Sequence, residues 1–280
     1  MGAAVSEARS GGYDPALAAS YWSGPRHELG DELAAVLSLG EPPAVNEAYD
    51  AWETGLLLDA IGDRLEERGL DLGTGVGRVA VRVAPRLRRL TCCDLAPGML
   101  ARLRSNATRH RVANIDPARI RSDGLPFRSG AFSLVICLGL LEHLPPAAQR
   151  ATIAESARVL RSGGVLALVL NNPESRFLQD PGDNPFRDGL QRESGYYCAV
   201  VSESAVLEEA ARDFDRQTLG SNLFYSLQRH AARALPDSSR RDPKLRPFFE
   251  RAAAWDRAVR PVGPLPRSAA DHHLYLLVRR

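Results

Sequence analysis

Apolar residues along this chain gather into short continuous runs, separated by stretches in which they recur at helical spacing, and that alternation predicts an α/β fold. Leu90-Thr91-Cys92-Cys93, the run from Phe132 to Leu138, Val165-Leu166-Ala167-Leu168-Val169-Leu170 and Leu274-Tyr275-Leu276-Leu277-Val278 are too short for helices. They are also too apolar for surface strands, as strands covered on both faces should be. Leu56-Leu57-Leu58, Ile61 and Leu65 recur at helical spacing and give a helix running into a first strand at Leu70-Asp71-Leu72. Further helices are expected over residues 79 to 87, 97 to 110 and 149 to 160, the last stopped by Ser162-Gly163-Gly164. Strand and helix in alternation imply a parallel sheet, with ligands outside the carboxyl ends of its strands.

After Asn171 the pattern changes. Residues 172 to 200 are rich in Pro, Asp, Asn and Arg, a connection of a length that is usually functional. Val206, Leu207, Ala210 and Ala211 mark one helix, Leu223, Phe224, Leu227, Ala231 and Ala234 a second, and Leu245, Phe248, Phe249, Ala252, Trp255 and Val259 a third. The last two precede the closing strand and read as an insert that roofs the site. Residues 1 to about 25 are small and polar and read as a mobile segment that folds over ligand. The expected organisation is a lid segment over 1–45, a core over 46–220, a helical cap over 221–270 and a closing strand over 271–280, with no internal repeat.

Composition narrows the class. With 280 residues, 44% hydrophobic and 25% charged, the chain can bury one large core plus a helical elaboration. No run approaches the length of a membrane span and no signal peptide is read, so a cytoplasmic protein without membrane partners is expected. Met1-Gly2-Ala3-Ala4-Val5-Ser6 fits the loose myristoylation pattern only as a chance match. Cys92, Cys93, Cys137 and Cys198 lack metal-ligand spacing, and the first three fall in predicted strands, which reads as reduced core cysteines. Net charge is only +2. Arg82, Arg86, Arg88, Arg89, Arg102, Arg104, Arg109 and Arg111 make the first half locally basic, but no aromatics interleave with them as a stacking platform would need. Solvated helix faces are therefore favoured over a nucleic-acid surface, in a chain whose single lysine is Lys244. That arginine bias suggests a GC-rich bacterial genome.

The chemistry begins at Asp71-Leu72-Gly73-Thr74-Gly75-Val76-Gly77, where a short strand breaks into three alternate glycines. Ordinary turn glycines are one reading. A dinucleotide-binding turn is another, but its third small residue would fall at Arg78. A second predicted strand ends in Asp94, where nucleotide folds place an acid for ribose hydroxyls. Together with Asp94-Leu95-Ala96-Pro97-Gly98-Met99-Leu100 and Asp123-Gly124-Leu125-Pro126-Phe127, the glycine segment resembles the class I S-adenosylmethionine-dependent methyltransferases. The likeness is strong over residues 45 to 175. It implies a Rossmann-like, doubly wound, seven-stranded α/β sheet with a helical insertion near the C-terminus, and S-adenosylmethionine as cofactor, with S-adenosylhomocysteine as product. It also assigns cofactor contacts to Tyr49, Asp71, Gly73, Thr74, Gly75, Gly77, Asp94, Leu95, Met99, Asp123, Gly124 and Leu138. Asp71 would face the methionine end and Asp123 would accept from the adenine amino group. Tyr49 and Trp52 either pack over the methionine portion or serve the core.

His143, in Leu141-Glu142-His143-Leu144-Pro145, resembles the position that opens a helix beside the ligand, where it is either a general base or a packing residue. Some relatives hold a divalent metal with two acids and a histidine here. Gly139 stands where the first acid would be, so no metal is expected. His272 and His273 precede the last strand and either reach the pocket or are inert, and His27, His110 and His230 have no supporting constellation. Acceptor recognition is expected from Tyr13, Tyr21, Trp22, Tyr196, Tyr197, Phe224, Tyr225, Phe248 and Trp255. The function implied is methyl transfer to an oxygen or nitrogen of a small molecule such as a specialised metabolite, by a bacterial monomer or homodimer with no nucleic-acid partner. The alternatives are a transfer-RNA or protein methyltransferase, whose N-P-P-Y-type segment is missing from Cys137-Leu138-Gly139-Leu140, and a cofactor-binding member of the fold that does not transfer methyl.

Overall fold

A computed structural model of the chain describes residues 12–24, 26, 29, 32–38, 41–175, 189–199 and 201–280. Expectations for residues 1–11, for His27 and for residues 176–188 of the long connection lie outside these. In chain order the elements are α1 (Pro15–Ser23), α2 (Glu32–Val36), α3 (Pro43–Ile61), β1 (Arg64–Leu72), α4 (Ala80–Val83), β2 (Leu87–Asp94), α5 (Pro97–Arg109), β3 (Ile115–Arg119) and β4 (Phe132–Cys137). There follow α6 (Pro146–Val159), β5 (Leu160–Asn171), the hairpin strands β6 (Leu190–Gln191) and β7 (Tyr197–Cys198), and α7 (Glu203–Ala210). Last come β8 (Phe214–Ser221), α8 (Leu223–Arg233), α9 (Asp237–Arg240), α10 (Arg246–Val259), α11 (Pro264–Ala269) and β9 (His272–Arg279).

Seven strands form one sheet in the order β3-β2-β1-β4-β5-β9-β8. The first five are parallel, but β9 runs antiparallel between β5 and β8, so the sheet is mixed rather than wholly parallel. Strand β8 carries Asp215, Arg216, Gln217 and Thr218 in its exposed middle, and for that reason no apolar run announces it. The strand periodicity of two sorts the core into two layers. Leu134, Ile136, Val165, Ala167 and Val169 face α3, α5 and α10, whereas Val135, Cys137, Leu166, Leu168 and Leu170 face α6 and α7.

Two helix boundaries differ from the sequence expectation. Gly62, at φ +59°, ends α3 after Ile61, so Leu65 belongs to β1 rather than to the helix. Helix α6 ends at Val159 and passes directly into β5, which takes in Ser162-Gly163-Gly164. The insert also differs in placement. Phe249, Ala252 and Ala253 of α10 share one apolar cluster with Trp52, Leu56 and Leu57 of α3. Asp256 of α10, buried, accepts the backbone N–H groups of Phe224 and Tyr225 at 2.9 Å each. It thereby satisfies orphan donors in the first turn of α8, which has no local side-chain cap.

Candidate active site

The carboxyl ends of β1, β2 and β4 open into a cavity of about 900 Å³, and the glycine loop after β1 is its floor. Gly73 and Gly77 take φ of +66° and +83°, where side chains are disfavoured. A Cβ on Gly73 would also come within 2.8 Å of Leu140, and one on Gly77 would collide with Leu103. Thr74 donates its backbone N–H to the Cys93 carbonyl at 3.0 Å and its hydroxyl to Asp71 Oδ2 at 2.6 Å. Asn106 of α5 donates to the Val76 carbonyl at 2.9 Å. The loop is therefore fixed from both sides.

Asp94, at the end of β2, joins the loop to the next turn. Its Oδ2 accepts the Gly75 N–H and its Oδ1 the Ala96 N–H, both at 2.9 Å. Burial raises its pKa above the usual carboxylate range, against the pull of those amides. Burial pushes Asp71 up to about 7, opposed by the Thr74 hydroxyl and by Arg78. Asp123 is instead held low by Arg121, whose guanidinium donates to both its oxygens at 2.9 and 2.6 Å.

Arg78, the residue that breaks the dinucleotide motif, has a structural task. It pairs with Asp50 at 2.8 Å and with Glu53, which is fully buried and also accepts the Tyr49 hydroxyl at 3.1 Å. Arg82 pairs with Asp50 as well. A buried ionic network thus clamps α3 to the glycine loop and holds Tyr49 over the cavity. The spacing of Asp50 and Glu53 on α3 was visible in the sequence, but nothing local indicated their partner.

His143 lies in a single 3₁₀ turn, Leu141–His143, after β4. Its Nδ1 is 3.0 Å from the Tyr197 carbonyl. A carbonyl only accepts, so the hydrogen is assigned to Nδ1, and the neutral ring keeps its lone pair on Nε2. The ring is packed edge-on by Trp22, with centroids 5.0 Å apart, and lies 5.7 Å from Tyr196. Helix α1 brings Trp22 there because Asp14 and the Gln191 side chain exchange hydrogen bonds of 2.7 and 3.0 Å, pinning the helix to the β6–β7 hairpin.

Among the described residues the cavity walls include Tyr49, Asp71, Gly73, Thr74, Gly75, Asp94, Leu95, Met99, Asp123, Leu138 and His143. Gly77 and Gly124 are not among them. Of the aromatics expected to meet an acceptor, Tyr13, Tyr21, Trp22, Tyr196, Tyr197 and Tyr225 line it. Phe224, Phe248 and Trp255 do not, and Phe248 and Trp255 face solvent instead, 40% and 51% exposed. Trp52 is wholly in the core. His272 does reach the cavity, where Asn222 donates to its Nδ1 at 3.0 Å and burial lowers its pKa to about 4, so it is neutral. His273 sits on the other side of β9 against Ser221, at 2.6 Å. Glu41, Arg229 and Arg233 also wall the cavity, and no motif pointed to them. Burial raises the Cys93 thiol to about 12 and the Cys198 thiol to about 11, so neither supplies a thiolate near neutral pH.

Residues 70–164 match the family model described as a methyltransferase domain. A malonyl-[acyl-carrier protein] O-methyltransferase of Geobacter sulfurreducens is 37% identical over 107 residues, covering 37% of this chain and 38% of the relative. The chain thus aligns with well under two thirds of that relative's length. Among solved structures, geranyl diphosphate C-methyltransferase from Streptomyces coelicolor, in complex with Mg2+, geranyl diphosphate and S-adenosyl-L-homocysteine, superposes with a TM-score of 0.56 at 15% identity. That match covers 95% of this chain and 97% of the other. The [4+2]-cyclase SpnF superposes with a TM-score of 0.53 at 21% identity over 84% and 82% of the two chains. Identities this low establish the fold, which is Rossmann-like.

Proposed function

We propose that this chain, whose residues 70–164 match the methyltransferase-domain family model, is a class I S-adenosylmethionine-dependent methyltransferase acting on an oxygen or nitrogen of a small molecule. The observation that carries the reading is Asp94. Its carboxylate is held by the Gly75 and Ala96 amides at the wall of a 900 Å³ cavity, a volume suited to a nucleoside cofactor together with a small acceptor. When bound, the cofactor supplies a methyl group already activated on a sulfonium.

In this reading Asp94 receives the ribose hydroxyls, Asp123 the adenine amino group and Asp71 the ammonium of the methionine portion. The backbone of Gly73, Thr74 and Gly75 passes beneath, and Leu95, Met99 and Leu138 provide apolar walls. Residues 46–220 and 271–280 carry the cofactor, while α1 and α8 close the acceptor side. The protein's remaining work is alignment and exclusion of water. Where the acceptor is a hydroxyl, Nε2 of His143 takes its proton, while the Nδ1–H bond to Tyr197 holds the ring in the required tautomer.

Two measurements test this. Titration calorimetry should detect S-adenosylhomocysteine binding that Asp94→Ala weakens. Mass spectrometry of cell extract incubated with the protein and a deuterated-methyl cofactor should reveal a labelled metabolite. Equal affinity in Asp94→Ala, or preference for a nicotinamide dinucleotide, refutes the cofactor assignment. Cofactor binding without any labelled product refutes methyl transfer.

A further inference from the structure

Part of the cavity wall is formed by guanidinium groups that the carboxylates among the described residues do not fully match. Arg229 and Arg233, one turn apart on α8, both line it. The Arg229 side chain is only 10% exposed. Glu41, itself buried at 7%, serves three guanidiniums. Its Oε1 accepts from Arg229 Nε at 3.2 Å and from Arg233 Nε and Nη2 at 3.2 and 2.7 Å, and its Oε2 accepts from Arg240.

Asp271, fully buried, is the second negative charge, 3.5 Å from Arg229 Nη1. It also accepts from Ser175 Oγ at 3.0 Å and from His230 Nε2 at 2.9 Å. Asp237 lies 3.8 Å from Arg240 but is mostly exposed and is matched by Arg241 at 2.9 Å. Among the described residues, three guanidiniums therefore stand against two carboxylates. His272, in the same wall, is neutral and does not alter the balance.

Arg229 is held by both Glu41 and Asp271, so the surplus positive charge falls on Arg233, whose side chain is 43% exposed and accessible to an anion entering the cavity. Guanidinium is the group that best complements a carboxylate or phosphate, through paired N–H donors in a planar fork. Arg233 turns Nε and Nη2 to Glu41, and among the described residues its Nη1 has only a 3.5 Å contact to His230 Nδ1. Tyr49, Tyr225 and His272 form the wall between this cluster and the glycine loop, with the Tyr49 ring 4.9 Å from His272 and 5.8 Å from Tyr225.

Building on the methyltransferase reading above, we propose that the acceptor carries a carboxylate or phosphate group that docks on Arg229 and Arg233 beside Glu41. The rest of the acceptor lies along the aromatic wall toward the glycine loop and His143. The arginines bind and orient; they take no part in bond making.

The test uses the full chain saturated with S-adenosylhomocysteine, so that the cofactor's own carboxylate is already placed. Calorimetric titration with inorganic phosphate and, separately, with succinate distinguishes the two anions. Saturable binding of either, weakened at least tenfold in Arg233→Gln and within twofold of wild type in Arg212→Gln, an equal charge loss in the exposed turn after α7, supports the proposal. Saturable binding of neither, or equal affinity in Arg233→Gln, overturns it. The labelled acceptor gives a second reading. It should bear an anionic group, and its neutral ester should show a kcat/KM at least tenfold lower with wild type but within twofold of the acid's with Arg233→Gln. An acceptor without an anionic group overturns this proposal and leaves methyl transfer standing. A wild type that does not bind S-adenosylhomocysteine overturns both.

Discussion

Arg78→Met removes the only cation that touches Glu53 among the described residues, and the cost follows from burial. Glu53 is fully buried, and Arg78 is 11% exposed and shared with Asp50. Breaking a buried ion pair from one side costs about 3–5 kcal/mol, because the remaining charge is left uncompensated. At about 2.1 cal/mol/K per residue, unfolding a chain of 280 residues carries an entropy of about 0.6 kcal/mol/K. The midpoint should therefore fall by about 5–8 °C in differential scanning calorimetry. The loss should depend on pH in a definite direction. Burial already raises the Glu53 pKa, and Arg78 opposes that rise. A carboxyl raised in the folded state makes folding less favourable as pH climbs from its unfolded to its folded pKa. Without Arg78 the rise is larger, so the deficit of the variant should be greatest near pH 8 and shrink toward about pH 5 as Glu53 takes up a proton. Arg78→Met/Glu53→Gln should recover part of the midpoint at pH 8. A fall under about 2 °C, or a deficit that does not change with pH, would refute the view that this network clamps α3 to the loop.

Other outcomes follow from the same geometry. Asp94→Ala should weaken S-adenosylhomocysteine binding by about 10- to 100-fold in calorimetry, since hydrogen bonds to a charged group contribute about 1.5–3 kcal/mol. Asp71, with a pKa near 7 in the free protein, should be pulled toward the carboxylate by a cofactor ammonium. Binding at pH 7 should then release up to about half a proton, read as a dependence of binding heat on buffer ionisation, and Asp71→Asn should abolish that release. With a hydroxyl acceptor, His143→Ala should lower kcat by about a hundredfold with cofactor affinity little changed; an unchanged rate removes the histidine from catalysis. Asp256→Ala should cost about 1–2 kcal/mol of stability by uncapping α8, and thermal melts should register it even though the residue lies outside the cavity.

The local chemistry of the cofactor side was legible in the sequence because it is built from contacts close along the chain. Gly75 and its partner Asp94 are 19 residues apart, and Thr74 and Asp71 only 3. A parallel strand, helix and strand repeat of that length sets such pairs side by side. The apolar runs likewise named β2, β4, β5 and β9, since strands buried on both faces admit little else. What the sequence could not supply were meetings across long separations. Arg229 and Glu41 are 188 residues apart, and Asp14 and Gln191 are 177. The first pair meets at the cavity wall, where α8 follows the edge strand β8, and the second where α1 packs on the separate β6–β7 hairpin. Strand β8, half polar on its solvent side, carried no signal until a neighbour gave it a face to cover. Sequence pattern therefore determined the sheet's layers and the glycine cradle, where local periodicity and spacing decide. Only the tertiary structure assembled the arginine-rich wall, because ion pairs between distant segments are written in neither periodicity nor composition.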